Sequence, residues 1–287
     1  MPGRQSFQPY AETNVLSMDR KRAACAQHTP THNHLLAALP LKDYERLLPD
    51  LDPVALPAGW TLHRAGCREK YLYFLTAGIV SRCYVTQNGA SAESAVTGSE
   101  GVIGIASFLG GGSTPSQAVV LSAGYAYRLR ADLLRQEFAH GGPLPHLLLR
   151  YTQALITQIA QTAVCNRHHA VEQRLCRWIL SSLDRLSSNE LTMTQEVIAT
   201  MLGVRRQGVT EAARRLQQAG LIHYERGHIG VLDRLQLEAQ ACECYAVVKR
   251  EYARLLLPEN TVDNARMLGT HRPCNTRWSA NTHPALN

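Results

Sequence analysis

The chain has 287 residues, 45% of them hydrophobic and 18% charged, with eight cysteines and a formal net charge of +7. Such a composition can bury a substantial core, excludes wholesale disorder, and at this length suits two globular domains. No stretch approaches the roughly 18 consecutive apolar residues of a membrane span, Met1 to Arg22 lacks the apolar core of a secretory leader, and no C-x-x-C pair occurs. A cytoplasmic protein with reduced thiols and no membrane partner is expected.

Residues 1–33 and 258–287 are polar, without sustained period, and are expected to be disordered tails. Leu35 to Leu48 suits a short helical lead-in. From Leu56 to Leu129, apolar runs such as Tyr71-Leu72-Tyr73-Phe74-Leu75 and Ala118-Val119-Val120-Leu121 alternate with turn signals such as Pro57-Ala58-Gly59, Thr86-Gln87-Asn88-Gly89 and Gly98 to Gly101. Turns at intervals of roughly 10 residues mark a small β sandwich or barrel, so 34–145 is expected to be a β domain. Charge divides the chain in the same place: 35–145 holds nine Lys/Arg against nine Asp/Glu, and 146–260 fourteen against eleven.

Pro145 opens a stretch without Gly or Pro as far as Gly203. Leu148, Tyr151, Leu155, Ile159 and Thr162 recur at intervals of three and four, and Val171, Leu175, Trp178, Ile179 and Leu183 begin a second stripe. Two helices are expected, parting near Asn166 to His169. The first stripe is nearly a seam, which suits a partner helix or the chain's own β domain. Residues 146–170 are assigned as a dimerisation helix, with Leu148, Tyr151, Leu155 and Ile159 at the interface.

Within Thr194 to Gln217, the spacing Ala199, Gly203, Val209 is that of a helix-turn-helix. The small residue lets the second helix approach the first, the glycine supplies positive φ in the turn, and the valine packs the second helix back on the core. Thr194 or Thr192 can cap the first helix, and Gln195 stands at capping-box distance from Thr192. With Val209, Ala212, Ala213 and Leu216 inward, 100° per residue turns Gln207, Glu211, Arg214 and Gln218 outward, flanked by Arg206 and Thr210. Gly220 to Leu232 then gives two short strands joined at Arg226-Gly227, a two-stranded wing. Residues 203–234 hold six Arg and two His against three acids, a balance suited to a polyanion, and 171–257 is the expected DNA-binding domain.

From about Leu35 to Leu256 the sequence resembles the Crp/Fnr superfamily of bacterial transcription regulators. The matching residues in front are Pro57-Ala58-Gly59, His63-Arg64-x-Gly66, Tyr73-Phe74-Leu75-x-x-Gly78-x-Val80, Gly89 and Glu100-Gly101-x-x-Gly104. Those behind are Val171 to Leu180 and Leu202 to Thr210. The resemblance implies an α+β fold: an N-terminal jelly roll of the cyclic-nucleotide-binding type as sensor, a long dimerisation helix, and a C-terminal winged helix-turn-helix. Implied partners are double-stranded DNA, a second copy of the chain, RNA polymerase and a small-molecule effector. The residues expected at DNA are Thr194, Arg205, Arg206, Gln207, Thr210, Glu211, Arg214 and Arg226. Arg206 matches the family's base-reading arginine, whereas Gln207 and Glu211 stand where Glu and a second Arg are common, so the familiar operator is not carried over.

The ligand pocket implied by the same resemblance comprises Gly104, Ile105, Ser107, Ser116 and Gln117. Members that bind cyclic AMP have a glycine-glutamate pair for the ribose and an arginine followed by Ser or Thr for the phosphate. Gly104-Ile105 and Ser116-Gln117 take those places here, so no cation is expected for the phosphate and cyclic AMP is not the expected effector. Oxygen-sensing members carry several N-terminal cysteines, of which this sequence has only Cys25, and no cofactor is expected.

Gly101-x-x-Gly104 and Gly110-Gly111-Gly112 precede no Lys-Ser/Thr and are taken as loop glycines. Cys242-x-Cys244, with His223 and His228 nearby, is assigned to a helix running from Leu235 toward Leu256, where residues two apart point about 200° apart, so no metal site is expected. Asn166 to His169 suits a polar turn between helices. No Ser, Cys or His lies in a nucleophile motif, so neither a catalytic residue nor an enzyme is expected. The competing readings are a regulator whose winged domain contacts protein instead of DNA, separable by salt dependence, and a metal-dependent enzyme built on the Cys and His residues, separable by metal analysis.

Overall fold

Asn33 anchors the start of the fold. Its side-chain oxygen accepts from the Leu35 and Leu36 amides, capping α1 (His34–Ala37), while its amide donates to Leu75 O and Gly101 O, both at 2.9 Å. The computed structural model describes residues 28–256, so the tails expected over 1–27 and 258–287 lie outside the described residues. Residues 28–33, assigned to the first tail, instead pack on the β domain: Asn33 is fully buried and His28 stacks on Tyr125 at 4.5 Å. A polar stretch without period concealed one asparagine whose entire hydrogen-bonding capacity is used internally.

After α2 (Leu41–Leu47) come β1 (Asp52–Leu56), β2 (Thr61–His63), β3 (Tyr71–Val85), β4 (Ser91–Thr97), β5 (Val102–Ile103), α3 (Ala106–Leu109) and β6 (Gln117–Arg130). The strands form one antiparallel sheet in the order β1-β6-β3-β4, with β2 pairing β6 and β5 pairing β3. The long central strands β3 and β6 change register at several bulges, which bend the sheet into a roll. Leu56, Leu75, Val80, Ile103, Val120 and Ala126 fill its interior.

Helix α4 (Ala131–His140) leads through Gly141 and Gly142, both at positive φ, into the 26-residue α5 (Pro143–His168), which opens with proline where its missing N–H costs nothing. Leu148, Tyr151 and Leu155 are essentially inaccessible, and with the partly buried Ile159 they pack among Leu72, Phe74, Val102 and Leu129. The Tyr151 hydroxyl donates to Val102 O at 3.1 Å and lies 3.2 Å from Thr97 Oγ1. Of the four residues assigned to a dimer interface, Leu148, Tyr151 and Leu155 face the chain's own core, and Ile159 keeps partial exposure. The large apolar residues that α5 leaves exposed are Leu149, Ile156 and Val164.

The remainder comprises α6 (Val171–Leu183), β7 (Glu190–Thr192), α7 (Gln195–Leu202), α8 (Arg206–Gln218), β8 (Ile222–Glu225), β9 (His228–Val231), α9 (Arg234–Gln240) and α10 (Cys244–Leu256). The wing has a third strand that was not expected: three-residue β7 pairs with β9, giving the order β7-β9-β8. Helix α10 folds back along α5, where the Tyr252 hydroxyl donates to Gln158 Oε1 at 2.8 Å.

Candidate nucleic-acid interface and sensor interior

Thr194 caps α7, its hydroxyl accepting from the Val197 amide, and Gly203 ends that helix at φ 62°, ψ 39°. Of the two threonines considered for the cap, Thr194 serves; Thr192 closes β7, with Oγ1 3.3 Å from His228 Nδ1. Helix α8 buries Val209, Ala212, Ala213 and Leu216 and exposes Arg205 at its N-cap, Arg206, Gln207, Thr210, Glu211 and Arg214. Two of these side chains already have partners: the Thr210 hydroxyl donates to Gln195 Oε1 at 2.6 Å, and Glu211 accepts from Arg215 at 2.6 Å. Arg205, Arg206 and Gln207 stand at the free end of the helix, where unsatisfied amides add partial positive charge. At the wing tip Arg226 (φ 49°) and Gly227 (φ 86°) form the two-residue turn with positive φ at both positions that suits a hairpin's twist. The Arg226 side chain is 89% exposed.

Inside the β-roll, the absence of a cation that the sequence suggests does not hold. Arg82, from the middle of β3, is buried and donates from Nη1 to Ser116 Oγ at 3.4 Å. Glu69 shares the same interior, its Oε2 accepting from the Ala106 amide at 2.7 Å. His63 Nε2 lies 3.4 Å from Glu69 Oε1, out of hydrogen-bonding alignment; burial first and Arg82 second lower the His63 pKa to about 4, so this is no ion pair at neutral pH. Among the buried polar atoms of the described residues that have no hydrogen-bond partner are His63 Nε2, Glu69 Oε1, Arg82 Nε and Arg82 Nη2. Of the expected pocket residues, Ser116 meets Arg82, while Ser107 donates to Gly104 O at 2.6 Å; Ile105 precedes α3 and Gln117 begins β6. Arg82, Glu69 and His63 were missed because the pocket was sought only between residues 104 and 117, and all three lie outside that segment.

Residues 53–140 match the family model of the cyclic nucleotide-binding domain, and residues 173–240 that of the Crp-like helix-turn-helix domain, together more than half of the chain. Among solved structures, a regulator of the Crp/Fnr family from Eubacterium rectale is similar with a TM-score of 0.58 at 16% identity, over 75% of this chain and 98% of that one. The chain belongs to the Crp/Fnr superfamily. FixK2 from Bradyrhizobium japonicum (TM-score 0.59, 15% identity, 67% of this chain, 98% of that one) and the CRP-family regulator TTHB099 from Thermus thermophilus (0.56, 20%, 66%, 96%) share the fold. No curated protein matches the chain. Its two domains are those of a Crp/Fnr-type transcription regulator, and among the described residues no helix is long and apolar enough to cross a membrane.

In this Crp/Fnr chain the winged domain is seated directly on the roll. Ile79 and Val96 of the sheet belong to the same apolar cluster as Trp178, Ile198, Leu202 and Val209. Met201 Sδ lies 3.4 Å from Ser81 Oγ, and a Cβ on Gly203 would come within 3.3 Å of Ala92 Cβ. Arg185 pairs with Glu100 at 2.7 Å, and Trp178 Nε1 donates to buried Glu93 at 3.1 Å.

Burial raises the Glu93 pKa to about 7, against Ser81, Arg177, Arg185 and Trp178, which favour its ionised form. With the folded value above the unfolded one, the contribution of Glu93 to stability is complete below pH 4.5 and is lost as pH rises through about 7, a loss of about 3 kcal/mol. Glu93→Gln keeps the acceptor for Trp178 and removes the titration. Urea midpoints from pH 4.5 to 8 are expected to fall for the wild type and to change much less for this variant, which becomes the more stable protein above pH 7.

A second polar cluster lies at the junction of α5 and α6. Cys165, His169, Cys242 and Cys244 bring their ligand atoms within 4.8 Å of one another, three of the four residues being buried. The single helix on which Cys242 and Cys244 were expected does not exist. Helix α9 ends at Gln240 and α10 begins at Cys244, and the intervening turn lets both thiols converge on the same point. The Cys242 thiol, 3.5 Å from Cys165, holds the Cys165 pKa below the ordinary thiol range, and the same contact with burial pushes Cys242 up.

Proposed function

We propose that the protein is a homodimeric, sequence-specific DNA-binding regulator without catalytic activity, reading a two-half-site operator in the major groove through α8. The supporting observation is the exposed, polar and net-positive outer face of α8, together with the exposed Arg226 at the wing tip. In this reading Arg206 and Gln207 meet base edges and Arg205, Arg214 and Arg226 meet phosphates. Thr194 and Thr210 position the helices, since their hydroxyls are already engaged. Glu211 accepts from Arg215 through Oε1 and has Oε2 left to accept from cytosine. RNA polymerase is the partner this reading adds for an activator.

The second copy docks on the outer face of α5. Leu149, Ile156 and Ala163 are seven residues apart, as are Gln153, Ala160 and Arg167, and all six are exposed. Two parallel heptad rows with alanines on one face give the close helix-to-helix seam of a coiled coil.

Titration of the full chain with duplexes carrying genome-mapped sites, at several salt concentrations, tests the reading. A steep loss of affinity with salt, together with preference for the mapped site over a scrambled duplex, is expected. Salt-independent or absent binding would favour the protein-contact reading.

The effector in this reading is a small polar molecule reaching Arg82, Glu69, His63 and Ser116, and it is not cyclic AMP. The ribose acid is missing at Ile105, and a phosphate approaching Arg82 also meets the Glu69 carboxylate. Calorimetry is expected to give no micromolar binding of cyclic AMP; a micromolar constant would overturn this assignment.

A further inference from the structure

We propose that Cys165, His169, Cys242 and Cys244 form a tetrahedral site for one zinc ion, which ties together the two ends of the winged domain. The donor set, three thiolates and one imidazole, is that of closed structural zinc sites. A tetrahedral ion with Zn–S near 2.3 Å sets S···S edges of about 3.8 Å and S···N edges of about 3.6 Å. Cys165 Sγ and Cys242 Sγ are 3.5 Å apart, and Cys244 Sγ lies 3.4 Å from His169 Nδ1. A polynuclear iron–sulfur cluster, whose four ligands are shared among different iron atoms, would hold ligands of different irons farther apart than the 4.8 Å within which all four ligand atoms lie here.

The surroundings are built for such an ion. His169 presents Nδ1 to the cluster while its Nε2 faces Glu243 Oε1 at 3.3 Å, the outer carboxylate that commonly orients a ligating histidine. Gln161 donates to Cys244 Sγ at 3.1 Å, and Cys244 opens the 13-residue α10, where helix amides favour a thiolate. Three thiolates around a divalent ion leave one negative charge. Arg174 and Arg177 lie beside the cluster, each buried with an unpartnered Nε, and among the described residues neither forms an ion pair with a carboxylate. Arg177 has Glu93 near it, but Arg174 is buried without an acid, which is costly, and an anionic metal centre supplies the missing charge.

The topology gives the site its role. Cys165 and His169 end α5, Cys242 and Cys244 begin the return, and every residue of the helix-turn-helix and wing lies between the two pairs. Zinc there pins the entry and exit of that domain to one point.

The test uses full-length protein kept reduced. Elemental analysis is expected to find one zinc per chain, and after chelation cobalt(II) is expected to give the intense visible bands of a tetrahedral thiolate complex at one equivalent, displaced by zinc. The melting temperature is expected to fall when the metal is removed. Cys165→Ser and Cys242→Ser are expected to lose the cobalt spectrum, and Cys67→Ser to keep it. Because the wild-type titration needs no variant, misfolding of a serine mutant cannot rescue the proposal. A cobalt spectrum without thiolate bands in the reduced wild type would overturn it, as would iron with inorganic sulfide, or a Cys165–Cys242 disulfide with no metal uptake on reduction.

Discussion

Arg206→Ala is expected to cost roughly 1 to 3 kcal/mol on the specific site and to relax preference at one base pair of each half-site. Arg206 is exposed in the first turn of α8, with no ion-pair partner among the described residues, so its guanidinium is free to donate two parallel hydrogen bonds to a guanine edge. Arg226→Ala should fail differently. That side chain stands at the tip of a two-residue turn, where it reaches phosphate and carries no sequence information. Its loss should weaken specific and scrambled duplexes alike and reduce the salt slope by about one unit. Binding titrations of both variants on both duplexes at several salt concentrations separate the two roles. An Arg206→Ala protein with its site preference intact would remove α8 as the reading head.

The second large effect is expected on α5, where neighbouring residues should give opposite outcomes. Ile156 is 60% exposed and Leu155 only 1%. Ile156→Glu is expected to leave the fold and its melting temperature nearly unchanged, to yield monomers in light scattering, and to weaken operator binding about 100-fold or more as the second half-site loses its tether. Leu155→Glu places a charge among Leu72, Phe74 and Leu129 and should destabilise the monomer itself, by more than the roughly 2 to 5 kcal/mol of a buried Leu→Ala change. A dimeric Ile156→Glu protein would refute the proposed seam.

That contrast shows where sequence patterning stopped being informative. Period alone identified α5 and its division from α6, because apolar residues at intervals of three and four say that a face is buried. They do not say by what. The stripe through Leu148, Tyr151 and Leu155 is the stronger one because the sheet covers it, whereas the outer rows, Leu149, Ile156 and Ala163 with Gln153, Ala160 and Arg167, are diluted with alanine and polar residues. The helix-turn-helix was more legible: Ala199, Gly203 and Val209 each answer a local steric requirement, so the turn and the inward face of α8 follow from spacing. The sensor interior was least legible, since Glu69, Arg82 and Ser116 meet only through strand pairing. The cysteine cluster left a partial signal. Cys165 and His169 stand one helical turn apart on the same face, a spacing that invites a metal, but the other two ligands were hidden by reading one helix through the break at Ala241 to Glu243.

The apolar seat of α7 on β3 and β4 has a thermodynamic consequence. Met201 touches the strand that carries Arg82, for Ser81 and Cys83, which meet Met201, are the immediate neighbours of Arg82, whose guanidinium meets Ser116. A ligand of the kind proposed for the interior would be separated from the first helix of the helix-turn-helix by a single strand, a path far shorter than α5. If occupancy of the roll alters affinity for an operator by some factor, the operator must alter affinity for the effector by the same factor. Under the proposed function, a mapped duplex would then serve to find the ligand: the effector is expected among small molecules held more tightly in the presence of that duplex than in its absence.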